Sequence, residues 1–94
     1  MQGLIFEWDP AKAEANFEKH GITFAEGMTI FDDENAITIY DYNHSKEEDR
    51  FVDLGRSKNG NMLSVVYTER EDRIRLIHAR KANREERIFY EKNK

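Results

Sequence analysis

The sequence has no cysteine and a single proline among its 94 residues. Without cysteine the chain has no disulfide framework and no thiolate ligand for a metal ion. Long apolar runs are also missing, since none approaches the roughly 20 residues that a membrane-spanning helix needs. The first residues lack the features of a signal peptide. These absences predict a cytoplasmic protein without membrane association, folded as a single domain of residues 1–94 around one core.

Basic residues are scarce in the first half of the chain and concentrated in the second. Residues 1–54 contain 4 lysines and arginines and 13 acidic residues, whereas residues 55–94 contain 11 and 6. The net charge of −4 argues against general binding to nucleic acid, but the basic second half is a weak indication of an anionic partner. The histidines at positions 20, 44 and 78 show no metal-ligand spacing, so the sequence predicts no metal site and no cofactor.

Residue periodicity and turn signals predict an α+β domain. Asp9 and Pro10 begin the first helix as N-cap and first helical residue, Gly21 ends it, and Asn59-Gly60 marks a hairpin. The predicted strands cover residues 4–8, 36–41, 50–56, 62–68 and 72–82, and the predicted helices cover residues 10–19, 24–31 and 84–92. The resulting element order, βααββββα, indicates an antiparallel sheet with helices packed mainly on one side.

The predicted strand 72–82 carries an unusual number of cations. Apolar residues occur on both of its faces, which indicates a central strand, yet it contains three arginines and a histidine. Strict alternation along a strand places His78 with Ile74 and Leu76 on one face and Arg75 with Ala79 on the other. Because an unpaired buried charge costs several kcal/mol, either acidic neighbours pair with these cations or one face of the sheet binds an anion.

Ordered motifs along the chain match one known pattern. They are Phe6-Glu7-Trp8-Asp9-Pro10, Lys19-His20-Gly21-Ile22-Thr23-Phe24, Leu54-Gly55-Arg56-Ser57, Tyr67-Thr68-Glu69-Arg70, Ala79-Arg80-Lys81-Ala82 and Arg84-Glu85-Glu86-Arg87. In these motifs the chain resembles the BrnT-type toxins of bacterial type II toxin–antitoxin modules over nearly its whole length. The resemblance implies a RelE-like fold, in which helices cover one side of an antiparallel sheet and the other side faces RNA.

The same resemblance implies a function and a set of partners. The expected activity is ribonuclease action that arrests translation, on RNA alone or on the ribosome. The expected protein partner is a BrnA-type antitoxin with a ribbon-helix-helix region. The complex is expected to repress its own operon, so the chain would meet DNA only through the antitoxin.

The implied reaction needs groups that bind phosphate and groups that transfer protons. Metal-independent RNA cleavage uses the neighbouring 2′-hydroxyl as nucleophile, so negative charge develops around the phosphorus atom. Arginines stay charged and bind phosphate bidentately, which makes Arg56, Arg75 and Arg80 the catalytic candidates for charge stabilisation. His78 is the candidate proton carrier because histidine titrates near neutral pH. Tyr67 is a further candidate if nearby cations lower its pKa.

His78 is also a departure from the family pattern, in which serine is usual at its position. Its candidacy therefore rests on the chemistry of histidine, and the alternative is a buried, hydrogen-bonded histidine. For Tyr67 the alternative is a core residue whose hydroxyl is satisfied.

Other cations of the second half are expected to contact RNA phosphates. They are Lys58, Arg73, Lys81 and Arg84. For the arginines a purely structural role is the alternative, in which they pair with acids across the sheet. The acids considered as partners are Asp49, Asp53, Glu69 and Glu71.

A function without catalysis is the second hypothesis. The overall acidity weakens affinity for RNA, and the sequence does not identify a clear pair of proton carriers. In this case the chain is an antitoxin-binding module that acts as a co-repressor, and its acidic first half docks a basic segment of the partner.

Overall fold

The computed structural model describes residues 3–94, which form a five-stranded sheet and three α-helices. The strands are β1 (Ile5–Glu7), β2 (Ile37–Tyr40), β3 (Arg50–Arg56), β4 (Met62–Arg70) and β5 (Arg73–Lys81). The helices are α1 (Pro10–His20), α2 (Phe24–Met28) and α3 (Arg84–Asn93), and short 3₁₀ helices occupy Thr29–Asp32 and Tyr42–His44. In space the strands follow the order β1-β5-β4-β3-β2.

The α+β class and the element order βααββββα are confirmed, with one difference in the sheet. β1 runs parallel to β5, so the sheet is mixed, whereas the other neighbouring strands are antiparallel. Only strands joined by a tight hairpin must be antiparallel. β1 is separated from β5 by most of the chain, so its own sequence carries no signal for its direction.

The helix ends form where the capping residues were predicted. The Asp9 carboxylate accepts a hydrogen bond from the Ala11 amide at 2.8 Å. Gly21 ends α1 in the left-handed region, with a φ of 70°, and its amide donates to the Phe17 carbonyl. The second helix is shorter than predicted, because the helix α2 ends at Met28 and the next turn tightens into a 3₁₀ helix.

The main core lies between α2 and one face of the sheet. Its buried residues include Phe24, Ile30, Leu63, Val65 and Leu76. The helix approaches the sheet closely at Gly27, where an added Cβ atom would lie 3.3 Å from the Ala79 Cβ atom. Larger side chains at Gly27 would push α2 away from the strands β4 and β5. A smaller cluster packs α3 against the opposite face at one end of the sheet, and consists of Met62, Ala82 and Tyr90 with Ile37 at its side.

A β-bulge interrupts the pairing of β4 with β5. Tyr67 pairs with Leu76 and Val66 pairs with His78, so Ile77 is an extra residue without a partner on β4. Such an insertion reverses the alternation of side chains beyond it. Val66 and Tyr67 point to opposite faces of the sheet, and they pair with His78 and Leu76. The side chain of His78 therefore points to the opposite face from that of Leu76.

The predicted alternation along β5 is therefore wrong beyond Leu76. Ile74, Leu76 and Ala79 are all buried in the main core. Arg75, on the far side of the bulge, shares its face with His78. The prediction assumed strict alternation and so did not include the extra residue. This residue places His78 on the same face as Arg75.

α1 covers the edge of β5 where β1 stops. β1 pairs with β5 only as far as Arg75. Beyond it, the buried side-chain amide of Asn16 donates to the Ala79 carbonyl at 2.8 Å and accepts from the Ala79 amide at 3.1 Å. The same amide group donates to the Ile22 carbonyl at 3.0 Å. Asn16 thus replaces a missing strand and fixes the part of β5 that follows the bulge.

Replacing Asn16 with alanine is expected to lower the free energy of unfolding by at least about 2 kcal/mol, because buried backbone groups that lose a partner cost about 1–3 kcal/mol each. Urea unfolding followed by Trp8 fluorescence measures this loss. Glu14→Ala, an exposed change on the same helix, is the control and should stay within about 0.5 kcal/mol of wild type. Equal stability of the two variants would contradict the assigned role of Asn16.

Candidate active site on the open sheet face

The face of the sheet opposite to α2 presents cross-strand rows of side chains, and we call it the open face. Residues that pair across strands leave the sheet on the same side. Three rows, each named after its β5 residue, are the Arg80 row (Ile37, Leu54, Ser64, Arg80), the His78 row (Ile39, Val52, Val66, His78) and the Arg75 row (Arg50, Thr68, Arg75). Neighbouring rows are two β4 residues apart, which corresponds to about 7 Å. Along β5, the rows therefore place His78 between Arg75 and Arg80 on the open face.

His78 forms a pair with His20. The two Nε2 atoms are 3.0 Å apart, and the rings meet edge to face with centroids separated by 4.7 Å. Burial lowers the pKa of His78, and the nearby charges of His20, Arg80 and Lys19 lower it further. A hydrogen bond between two Nε2 atoms needs one protonated and one bare nitrogen. At neutral pH His78 is thus an uncharged imidazole, the state in which it can accept a proton.

Arg80 is held by a carboxylate on α3. Its guanidinium makes two parallel hydrogen bonds to Glu86, at 2.8 and 2.9 Å, and these bonds raise the pKa of Arg80. Glu86 also accepts from the Asn83 amide at 2.8 Å and so completes the capping box of α3. The first turn of α3 and the position of Arg80 are consequently fixed by one carboxylate.

Arg75 and Arg56 also have acidic neighbours. Arg75 donates to the Glu7 carboxylate at 3.2 Å, and its side chain remains 30% exposed. Arg56 donates to the Gly60 carbonyl at 3.0 Å, and Glu91 lies 3.9 Å away. The partners are thus glutamates of β1 and α3, which the sequence analysis did not consider, since their proximity depends on the parallel β1 and on where α3 packs.

The structure brings some of the predicted site residues together and separates others. Arg75, His78 and Arg80 lie along one strand of the open face. Arg56 ends β3 beside the far end of α3. Lys58 lies in the β3–β4 turn next to α2, where its amide donates to the Thr29 hydroxyl at 2.9 Å.

The remaining predicted RNA contacts lie at the ends of β5 and α3. Arg73 begins β5, Lys81 ends it, and Arg84 begins α3, all three exposed. Arg73 and Arg84 border the open face at its ends. Lys81 pairs with the core residue Leu63 and therefore points to the face that α2 covers, on the same side as Lys58.

Tyr67 is not a proton carrier of the kind the sequence suggested. It points into the main core, and its hydroxyl donates to the Asp53 carboxylate at 2.9 Å. Burial and the Asp53 charge raise the pKa of Tyr67, so the predicted lowering by cations is wrong. The alternative, a core tyrosine with a satisfied hydroxyl, is confirmed.

Neither a metal cluster nor a membrane helix is found in the described part of the chain. Within residues 3–94, no three His, Asp or Glu side chains are placed to hold a metal ion. Over the same range no helix is both long and apolar enough to cross a membrane. His44, the third histidine, is exposed, and its Nδ1 atom lies 3.0 Å from the Asp41 carboxylate, a local contact.

Comparison with known proteins decides the family. A family model described as "Ribonuclease toxin, BrnT, of type II toxin-antitoxin system" matches residues 8–86. The chain belongs to this family. It is therefore a ribonuclease toxin of a type II system, and such a toxin has a cognate antitoxin. The comparison with curated proteins found no match.

A solved structure supports the fold of the toxin. The chain is similar to the ribonuclease toxin BrnT of Brucella abortus, known from a crystal structure at 1.1 Å resolution. The TM-score is 0.66 at 20% sequence identity, and the match covers 86% of this chain and 99% of that chain. At this identity the similarity establishes the fold of the toxin, and the arrangement of its site rests on its own side chains.

The partnership of His20 with His78 was not predicted from the sequence. The first helix was predicted to end at Gly21, and α1 does end at the preceding residue, His20. The available signal was the spacing of apolar residues along β5. Ile74, Leu76 and Ala79 fit one face only if an extra residue lies between the last two, and that residue turns His78 towards the arginines.

Proposed function

We propose that the toxin cleaves RNA on the open face without a metal ion. The observation that carries this proposal is the bulge at Ile77, because it gives Arg75, His78 and Arg80 a common face. Two arginines about one row to either side of a neutral histidine suit a phosphodiester, whose oxygens need positive charge while the 2′-hydroxyl loses its proton.

The proposed reaction is an internal transfer at phosphorus. The 2′-oxygen attacks the adjacent phosphorus and forms a new P–O bond, while the bond from phosphorus to the 5′-oxygen of the next nucleotide breaks. The products are a 2′,3′-cyclic phosphate and a 5′-hydroxyl. The 2′-hydroxyl proton passes to His78, and the leaving 5′-oxygen takes a proton from water; the hydroxide so formed is neutralised when His78 releases its proton.

His78, with His20 as its hydrogen-bond partner, can take up the 2′-hydroxyl proton. When His78 donates from Nε2 to His20, the Nδ1 atom of His78 is bare and can accept the 2′-hydroxyl proton. Protonated His78 keeps its Nε2 hydrogen bond to the uncharged His20 ring, whereas a second charge on His20 opposes this proton uptake. Proton transfer by a positioned side chain contributes about 10²–10⁴-fold to a rate, and Arg75 and Arg80 stabilise the charge on the phosphate oxygens.

The biological setting follows from the family and forms part of this proposal. RNA cleavage in the cytoplasm, on free RNA or on the ribosome, arrests translation. A BrnA-type antitoxin with a ribbon-helix-helix region neutralises the toxin and carries the complex to operator DNA. Arg73 and Arg84 hold the RNA at the ends of the open face, while Lys58, Lys81 and Arg56 are the three earlier candidates that the geometry supports least.

The purified toxin, freed of antitoxin, is expected to cut RNA in the presence of EDTA. The arginines and the histidine pair supply the required charge and proton transfer, so chelation should leave the rate unchanged. End-labelled RNA reports the cleavage position, and analysis of the fragments should show 2′,3′-cyclic phosphate ends. Loss of cleavage in EDTA with recovery on adding a divalent ion would contradict a metal-independent reaction.

A second candidate function is supported by the ion pairs. Arg56, Arg75 and Arg80 each have a carboxylate neighbour, which suits an antitoxin-binding module that acts as a co-repressor without cutting RNA. If the toxin cuts neither free RNA nor RNA on translating ribosomes, and still binds its antitoxin and operator complex, this function replaces the first.

A further inference from the structure

Thr68 on β4 has a buried hydroxyl with no partner. Its side chain is fully buried, and its Oγ1 atom makes no hydrogen bond. Among the described residues, no other buried side-chain oxygen or nitrogen atom lacks a partner. A buried polar atom that stays unpaired costs about 1–3 kcal/mol. Buried side-chain polar atoms usually have a partner, so Thr68 calls for an explanation.

The neighbours of Thr68 on the open face are both cationic. In the Arg75 row it pairs with Arg50 on one side and with Arg75 on the other. Both arginines are partly exposed. A hydroxyl between two guanidinium groups can donate to an anion that the guanidinium groups bind, and this anion would supply the missing acceptor.

Arg50 is available for such an anion. The acids near it are occupied, since Asp41 is paired with His44 and Glu48 makes two hydrogen bonds to Arg70 at 3.0 and 3.1 Å. Within residues 3–94, no carboxylate lies within ion-pair distance of the Arg50 guanidinium. This distinguishes Arg50 from Arg75 and Arg80, whose guanidinium groups form ion pairs with Glu7 and Glu86.

The Arg75 row also lies at a suitable distance from the proposed cleavage position. It is one row, about 7 Å, from His78. Consecutive phosphates of an extended RNA strand are separated by a similar distance. A strand whose reacting phosphate lies at His78 therefore brings a neighbouring phosphate over Thr68.

We infer that Arg50 and Thr68, together with Arg75, form a second phosphate subsite that holds the RNA phosphate next to the one that is cut. The inference rests on the proposed function, since it places the reacting phosphate at His78. Arg50 provides the free charge, and Thr68 provides a hydrogen-bond donor. Arg75 lies between the two phosphates and exchanges its bond with Glu7 for the strand.

Binding of a short 2′-O-methyl oligonucleotide tests the subsite without requiring cleavage, because the blocked 2′-oxygen cannot react. Each phosphate contact to a single strand contributes about 0.7 to the slope of log affinity against log salt. Arg50→Ala should reduce the magnitude of this slope by about 0.7. Lys92→Ala, which removes one exposed positive charge at the end of α3, is the charge-matched control and should leave it unchanged.

Thr68→Val separates the subsite from a structural role of the hydroxyl. The change keeps shape and charge, so the variant should be at least as stable as wild type, because an unpaired buried hydroxyl is removed. Its affinity for the oligonucleotide should nevertheless fall about tenfold, with the salt slope retained. A gain in stability combined with a loss of affinity is not expected from a residue that only packs.

Each of the remaining outcomes has a definite meaning. Wild-type affinity of Thr68→Val, or equal slopes for Arg50→Ala and Lys92→Ala, would overturn the subsite even if RNA is cut at His78. The predicted changes in binding without any cleavage of unmodified RNA would support the subsite and reject the proposed reaction. A loss of antitoxin binding in Arg50→Ala, with oligonucleotide binding intact, would assign this surface to the protein partner and overturn the subsite.

Discussion

Replacing Arg75 and Arg80 together with alanine is expected to reduce RNA cleavage by at least about 100-fold, since one lost charge-stabilising donor costs about 10²–10³-fold in known enzymes. Both guanidinium groups lie on the open face beside His78, and in the proposed reaction negative charge grows on the phosphate oxygens between them as the 2′-oxygen attacks. Single-turnover cleavage of end-labelled RNA measures the loss directly, because it is not limited by product release.

Two controls separate this effect from damage to the fold. Arg80 holds Glu86, which caps α3, so urea unfolding and antitoxin binding must be compared with wild type. The variant with lysine at both positions keeps the charges but loses the bidentate contacts, and an intermediate rate is expected. A folded alanine variant that cuts RNA at the wild-type rate would show that the arginines serve structure only.

His78→Ala is expected to lower the cleavage rate by about 10²–10⁴-fold, the usual contribution of a general base. The remaining rate comes from the two arginines. His78→Ala also leaves a cavity beside His20. His78→Asn is therefore a second variant to test, because asparagine fills more of this cavity and cannot take up a proton. Rates within a few-fold of wild type in both variants would remove His78 from the mechanism.

The pH dependence gives a second and more specific readout. The pKa of His78 is lowered from its ordinary value of 6.5, first by burial and then by the His20 charge. The bare imidazole is the active form, so the wild-type rate should fall only as the pH drops through this lowered pKa. His20→Asn removes a charge that lowers the pKa, and the decrease in rate should therefore begin at a higher pH. An unchanged acid limb in His20→Asn would argue against the paired histidines.

The sequence predicted those parts of the fold that depend on local chemistry. Asp9 and Gly21 cap the first helix as expected, because a cap needs only a few neighbouring residues. The hairpin at Asn59-Gly60 follows for the same reason. From these local signals the element order and the α+β class could be predicted.

Features that depend on distant parts of the chain could not be predicted in the same way. The partners of Arg75 and Arg80 are Glu7 and Glu86, which become neighbours only once β1 pairs in parallel with β5 and α3 packs on the open face. Asn16 gave no sign of its role, since an asparagine within a helix ordinarily faces solvent. Its three buried bonds exist because the edge of β5 lies beside α1.

The extra residue at Ile77 has a consequence for how this chain can change in length. Deleting Ile77 would restore regular alternation and leave the histidine and the following arginine on the open face, because Ile77 is the residue without a partner on β4. An insertion of one residue at a paired position of β5 would instead turn the positions beyond it to the other face of the sheet. The open face is thus expected to keep its side chains when Ile77 is lost, and to lose them when the length of β5 changes at a paired position.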